Sequence, residues 1–283
     1  MPHQVTCAVF SWDGKQIVTG SRGQTARTWN ASSGQEMLTL KGHRNDVICV
    51  AFSRDRSMVA SGSWDKNVHL RDGSTGQQMW ALRGHTEYVR SATFSQDGKL
   101  AMSGSNDRTI HAWNTSGNRT LSSLTGHTGD VRSVSLSHDG RFIVSGSYDK
   151  TTRVWDMTSG CCLDTSVKLS KQVTSVKFHS INPLVIQLQV EGEIRYWTPS
   201  LPNFPPLPPP SDTLSTPLNQ LTSYPRYSIE DRLVMVTQGK DQMPVPIGWL
   251  PPTFKVEKSD LFGNTMVMGG EGGEVFILKL VTL

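Results

Sequence analysis

The chain has 283 residues, 36% hydrophobic and 18% charged. That is enough apolar material for a core, so wholesale disorder is excluded. Its net charge of +4 comes from 28 basic and 24 acidic residues that are dispersed along the sequence, so nucleic acid is not an expected partner. No apolar run approaches the roughly 18 residues a membrane-spanning helix needs. Met1 to Phe10 also lacks the charged-then-apolar pattern of a signal peptide. A cytoplasmic protein without a membrane partner is the expectation. Cys7, Cys49, Cys161 and Cys162 show no metal-ligand spacing, so neither a zinc site nor a disulfide framework is expected.

Taken in chain order, the first element is VTCAVF from Val5. Runs of the same length and character begin at Val47, Val89, Val131 and Val173. All are rich in β-formers and read as strands. Turn signals follow at Asp13-Gly14, Asp97-Gly98 and Asp139-Gly140, as hairpins require. A second strand ends in Ser-Gly-Ser at Ser61, Ser103 and Ser145, and a tight turn around an Asp follows. A third strand ends at a Trp, and a short fourth one, such as Gln78 to Leu82, precedes a Gly-His pair.

The spacing is strict. Trp29, Trp113, Trp155 and Trp197 are separated by 84, 42 and 42 residues, with Arg71 in the vacant place. Gly42-His43, Gly84-His85 and Gly126-His127 recur every 42 residues, as do Asp65, Asp107 and Asp149. Four strands in a period near 42 mean an all-β propeller of four-stranded antiparallel blades.

The string GHTGDVRSVSLSHDGRFIVSGSYDKTTRVWD from Gly126 closely resembles the WD-repeat β-propeller family. The resemblance is strong over the regular repeats, 5–197. It implies that His85, Ser103, Asp107 and Trp113 form one structural hydrogen-bond tetrad, and His127, Ser145, Asp149 and Trp155 another. The tetrad should be broken at Arg71, which is expected to reach Asp65 as an ion pair instead. A hydrolase would use the same Ser, His and Asp types, but a set duplicated once per repeat beside a Trp reads as framework. No single unrepeated polar constellation is present, so no enzyme, cofactor or metal site is expected. The segment WLPP at Trp249 and the GGEGGEVFIL ending also resemble the C-terminal WD-repeat arrays of fungal NACHT-type signal-transduction ATPases.

After Trp197 the composition changes: 13 of the 15 prolines lie between 199 and 252. We read a stiff proline-rich insert over about 199–220, then divergent blades over 221–283. The whole chain, 1–283, is expected to be a single propeller. Third strands ending at Trp29, Arg71, Trp113, Trp155, Trp197, Trp249 and Leu278 make seven blades; the rival reading is six, with 221–283 as one irregular blade. Only Lys279 to Leu283 follow Leu278, so an incomplete three-stranded last blade is expected. Its apolar edge, Val275 to Leu280, could then pair with another strand.

Comparing the repeats with one another locates the expected docking face. Framework positions recur, whereas three positions near the turns differ. Just before the tetrad Asp stand Trp64, Asn106 and Tyr148, with Arg22 at the equivalent place in the first repeat, before Gly23. Just before the first-strand Val stand Asp46, Tyr88, Asp130 and Gln172, and two positions later Ile48, Arg90, Arg132 and Thr174. Arg22, Trp64, Tyr88, Arg90, Asn106, Asp130, Arg132 and Tyr148 are therefore the candidate partner-binding residues, several of them of types enriched in interface hot spots. The expected function is a non-catalytic scaffold or recognition module for a protein or peptide; a small-molecule or glycan-binding propeller is the alternative.

Overall fold

The runs of β-formers become strands whose bounds are set by the turns between them. In the first sheet these are β1 (Val5–Phe10), β2 (Gln16–Ser21), β3 (Ala26–Asn30) and β4 (Glu36–Leu40). The second contains β5 (Val47–Phe52), β6 (Met58–Ser63), β7 (Val68–Asp72) and β8 (Gln78–Leu82). The third contains β9 (Val89–Phe94), β10 (Leu100–Ser105), β11 (Ile110–Asn114) and β12 (Arg119–Leu124). The fourth contains β13 (Val131–Leu136), β14 (Phe142–Ser147), β15 (Thr152–Asp156) and β16 (Cys162–Thr165). Each is an antiparallel meander, with neighbours in sequence hydrogen-bonded in order.

The computed structural model describes residues 4–117, 119–178, 185–190 and 193–199, and beyond them the backbone of six strands. β17 (Val173–Phe178), β18 (Ile186–Val190) and β19 (Glu193–Trp197) make a three-stranded sheet. So do β20 (Arg226–Glu230), β21 (Leu233–Thr237) and β22 (Val245–Trp249), and β23 (Val256–Phe262), β24 (Thr265–Gly270) and β25 (Val275–Lys279). The proline-rich insert from residue 200 and Leu280 lie outside the described residues. Among the described residues there is no helix.

The hairpin between the first two strands of each regular sheet is closed by a side chain. Ser11 donates to Asp13 at 2.8 Å, Ser53 to Asp55 at 2.7 Å, Ser95 to Asp97 at 2.7 Å and Ser137 to Asp139 at 2.6 Å. The residue after the Asp takes positive φ: Gly14, Gly98 and Gly140 at 67°, 69° and 71°, and Arg56 at 62°. Arg56 thus holds a conformation that glycine adopts without steric cost, so the second repeat makes the same turn without the Asp-Gly signature.

The core lies in slices between neighbouring sheets. Val18, Leu40, Val47 and Val59 pack between the first and second. Leu70, Leu82, Val89 and Trp113 pack between the second and third, and Ile110, Leu124, Val131 and Ile143 between the third and fourth. The glycine of Ser-Gly-Ser permits this approach. A Cβ on Gly62 would lie 2.6 Å from Val89 Cγ1, one on Gly104 2.7 Å from Val131 Cγ1, and one on Gly146 2.6 Å from Val173 Cγ1. The first strands β1, β5, β9, β13 and β17 consequently lie side by side, and β1 also flanks β23.

Candidate interaction face

The framework beneath the face is a chain of hydrogen bonds. In the third sheet Trp113 Nε1 donates to Ser103 Oγ at 2.8 Å, Ser103 bonds His85 Nε2 at 2.7 Å, and His85 Nδ1 bonds Asp107 at 2.8 Å. In the fourth, Trp155, Ser145, His127 and Asp149 repeat the pattern at 2.8, 2.8 and 2.7 Å. One proton assignment satisfies every member: indole N–H to serine oxygen, serine O–H to a neutral imidazole, imidazole N–H to carboxylate. Burial pushes the Asp149 carboxyl up. Hydrogen bonds from His127, Thr151 and the Thr128 amide outweigh it and hold the group well below the usual carboxylate range. Ser61, Ser103 and Ser145 are no more than 1% exposed, so these Ser-His-Asp sets offer no nucleophile to a substrate.

The second sheet departs from this pattern. His43 bonds Ser61 and Asp65, each at 2.8 Å, but Arg71 replaces the Trp. The expected Arg71–Asp65 ion pair does not form. The Arg71 guanidinium turns away, donating to the carbonyls of Lys41 and Gly76 and to Gln78 Oε1. Asp65 is already saturated by His43, the amides of Arg44 and Asn67, and the Asn67 side chain, so no acceptor remains to draw Arg71 inward. In the first sheet Trp29 Nε1 donates to Thr19 at 2.9 Å.

His43, Asp65 and His69 have ligand atoms within 4.8 Å of one another. Yet His43 and His69 are stacked, with centroids 3.9 Å apart and planes at 11°. In-plane lone pairs of parallel rings do not converge on one ion, and both His43 nitrogens are already hydrogen-bonded. The same stack recurs between His85 and His111 at 4.1 Å. It is a packing feature of the repeat rather than a metal centre. Burial, above all, brings the His69 pKa down to about 4, and it does the same for His111.

The variable positions meet at one end of the sheets because the backbone ties them together. Trp64 N–H donates to Asp46 O at 3.0 Å, Asn106 N–H to Tyr88 O at 2.9 Å, and Tyr148 N–H to Asp130 O at 2.9 Å. Each turn between second and third strands is thereby pinned beside the residue that precedes the first strand. Across the boundary of the second and third sheets, Trp64 and Tyr88 stack with centroids 5.3 Å apart. The Arg90 guanidinium lies 5.6 Å from the Trp64 ring centre and 5.7 Å from that of Tyr88, and its Nε donates to Asn106 Oδ1 at 2.9 Å. On the fourth sheet Arg132 lies 4.3 Å over Tyr148. Burial and then the charge of Arg132 lower the Arg90 pKa, while Asp130 opposes them. Arg22 stands apart from this row: it is exposed and approaches Asp46 at 3.9 Å.

This repeating framework, with its Gly-His, Ser-Gly-Ser and Trp landmarks, is matched by a family model described as "WD domain, G-beta repeat" at residues 2–30, 34–72, 76–114 and 118–156. The chain belongs to the WD-repeat family. Its repeats are also similar to Dynein assembly factor with WD repeat domains 1 of Xenopus laevis, at 42% identity over 43 residues. That match spans 15% of this chain and 10% of the frog protein, about the length of a single WD repeat.

A second row of variable residues, not singled out in the sequence, occupies the other end of the WD sheets. Trp12, Arg54, Gln96 and His138 sit 42 residues apart in the hairpins after β1, β5, β9 and β13. Arg54 lies 4.5 Å over Trp12. With its amide oxygen toward Arg54, Gln96 accepts from that guanidinium and donates to the His138 ring. The same comparison of repeats, applied one residue after the turn serine, exposes this row in the sequence.

Proposed function

We propose that the chain is a non-catalytic recognition module that docks a protein or peptide partner on the face carrying Trp64, Tyr88, Arg90, Asn106, Asp130, Arg132 and Tyr148. The observation that carries this reading is the row of aromatic and guanidinium side chains at one end of three neighbouring sheets, built at positions where the repeats differ over a framework they share. Aromatic and arginine side chains held in place by stacking present large contact area at low entropic cost. Arg22 is the outlying member of the face, beside Asp46.

In this reading the seven sheets are seven blades of one propeller spanning 1–283, closed where β1 flanks β23. The sheet of β23 to β25 can accept a further strand along β25, from a longer chain or from a partner. The frog relative is named an assembly factor, which agrees with a scaffold; dynein stays with that protein. Affinity capture compared between the wild type and the Trp64→Ala/Tyr88→Ala variant tests the reading. A partner retained by the wild type and lost from a variant with unchanged thermal stability supports it. Equal capture by both overturns it.

A further inference from the structure

The docking face proposed above is reading enough for a partner but leaves its chemistry open; the arginines narrow it. Arg90 has its guanidinium face turned to Trp64 and Tyr88, and its Nε engaged by Asn106. Its two terminal nitrogens find no hydrogen-bond partner among the described residues. Arg132 rests its face on Tyr148, and none of its five N–H groups is bonded by a described residue. Both side chains are half-buried. A guanidinium that stacks through its plane keeps its N–H fork free at the edge, the geometry that takes an oxyanion through two parallel bonds.

Electrostatics agrees with this geometry. Arg90 and Arg132 hold equivalent places on the adjacent strands β9 and β13, which are tied by the Val134 N–H donating to Ser91 Oγ at 3.1 Å, and the charge of Arg132 disfavours that of Arg90. Asp130 attracts Arg90 but forms no ion pair with either arginine within 4 Å, and neighbouring charges are spent elsewhere: Asp46 on Arg22 at 3.9 Å, and Glu87 on Lys66 at 3.2 Å. Two half-buried cations against one acid leave a local excess of positive charge, and an incoming anion would relieve both the repulsion and the unfilled donors. Beside them the Trp64 indole N–H is buried without a partner among the described residues.

We propose that Arg90 and Arg132 together form a receptor for an oxyanion, carboxylate or phosphoryl, borne by a peptide segment of the partner, with the Trp64–Tyr88 stack holding the neighbouring apolar residue. The inference rests on the docking face. A peptide is favoured over nucleic acid because the basic residues of the chain are dispersed and the receptor is a single pair rather than a track along a backbone.

The test uses three immobilised degenerate peptide libraries that differ only in a fixed central residue: glutamate, phosphoserine or glutamine. A single-stranded RNA oligonucleotide is assayed in parallel. The full chain should retain the glutamate or phosphoserine library over the glutamine one, and the better of the two identifies the source of the oxyanion. Arg132→Gln and Arg90→Gln should each weaken retention about tenfold or more, since a hydrogen bond to a charged group is at stake. Arg132→Lys should weaken it less, and Arg54→Gln at the opposite end should leave it unchanged. Circular dichroism melts confirm that each variant folds. Equal retention of all three libraries, no retention by the wild type, indifference to both arginine variants, or preference for RNA would overturn the proposal. If Trp64→Ala/Tyr88→Ala abolishes retention while acidic and neutral libraries are held alike, the docking face stands and the oxyanion receptor falls.

Discussion

Removing the serine hydroxyl from successive sheets should cost unequal amounts of stability, in an order set by what each hydroxyl holds. Ser145 accepts from Trp155 Nε1 and bonds His127 Nε2, both at 2.8 Å, between rings that are 1% and 6% exposed. Ser145→Ala therefore breaks two bonds and leaves an indole N–H and an imidazole nitrogen buried without partners. With a net loss of about 1 kcal/mol per bond, and more where the abandoned group stays dry, the expected cost is about 3 kcal/mol. Ser103→Ala breaks the equivalent pair of bonds, at 2.8 and 2.7 Å, and should match it. Ser61 serves His43 alone, because Arg71 bonds elsewhere, so Ser61→Ala should cost about 1–2 kcal/mol. Thr19→Val loses the single bond from Trp29, whose side chain is only half-buried, and should cost about 1 kcal/mol or less. Urea denaturation followed by circular dichroism, with the denaturant slope unchanged between variants, reads these differences as shifts in midpoint. Equal costs for Ser61→Ala and Ser145→Ala, or a Thr19→Val penalty above both, would refute the assignment of bonds.

Acid should weaken the fold in two separable windows. His69 and His111 have pKa values near 4 in the fold and about 6.5 when unfolded. Between those values the unfolded chain binds protons that the folded one refuses, so stability falls as pH drops through that window. His69→Gln/His111→Gln should flatten the slope of unfolding free energy against pH there, and an unaltered slope contradicts the account. Asp65, Asp107 and Asp149 have lowered carboxyl pKa values. Their contribution is present above the unfolded value of about 3.9 and is lost only as pH falls below it. Gly104→Ala should destabilise by about 1–3 kcal/mol through overpacking against Val131 and Val134. Adding Val131→Ala should recover part of that loss in a double-mutant cycle, and strict additivity would contradict the packing argument.

Period and patterning carried the fold far. The first strands begin at Val5, Val47, Val89, Val131 and Val173, where alternation and the following turn residues put them. The tetrad partners followed from the resemblance to WD repeats, and the need of a buried indole, hydroxyl and imidazole for partners is the physical reason they bond as that resemblance implies. Arg71 was not legible. Its charge suggested Asp65, but that carboxylate is already filled by local donors, and competition among donors is invisible in a linear sequence. Trp64, Tyr88 and Arg90 could be picked out as variable positions, yet their stacking runs between sheets and depends on how the turns are pinned to the neighbouring backbone. The row Trp12, Arg54, Gln96 and His138 shows the same limit: the spacing was there to be read, but the cross-sheet bonds that join the row are tertiary.

The docking face is tested most directly by where a bound partner touches. A photo-crosslinking amino acid placed at position 88 or 148, and for comparison at position 12 on the opposite end, reports contact within a few ångströms in the assembled complex. The account predicts crosslinks to the captured partner from positions 88 and 148 and none from position 12. Crosslinks from position 12 alone would place the partner on the other end of the sheets and contradict the proposed face.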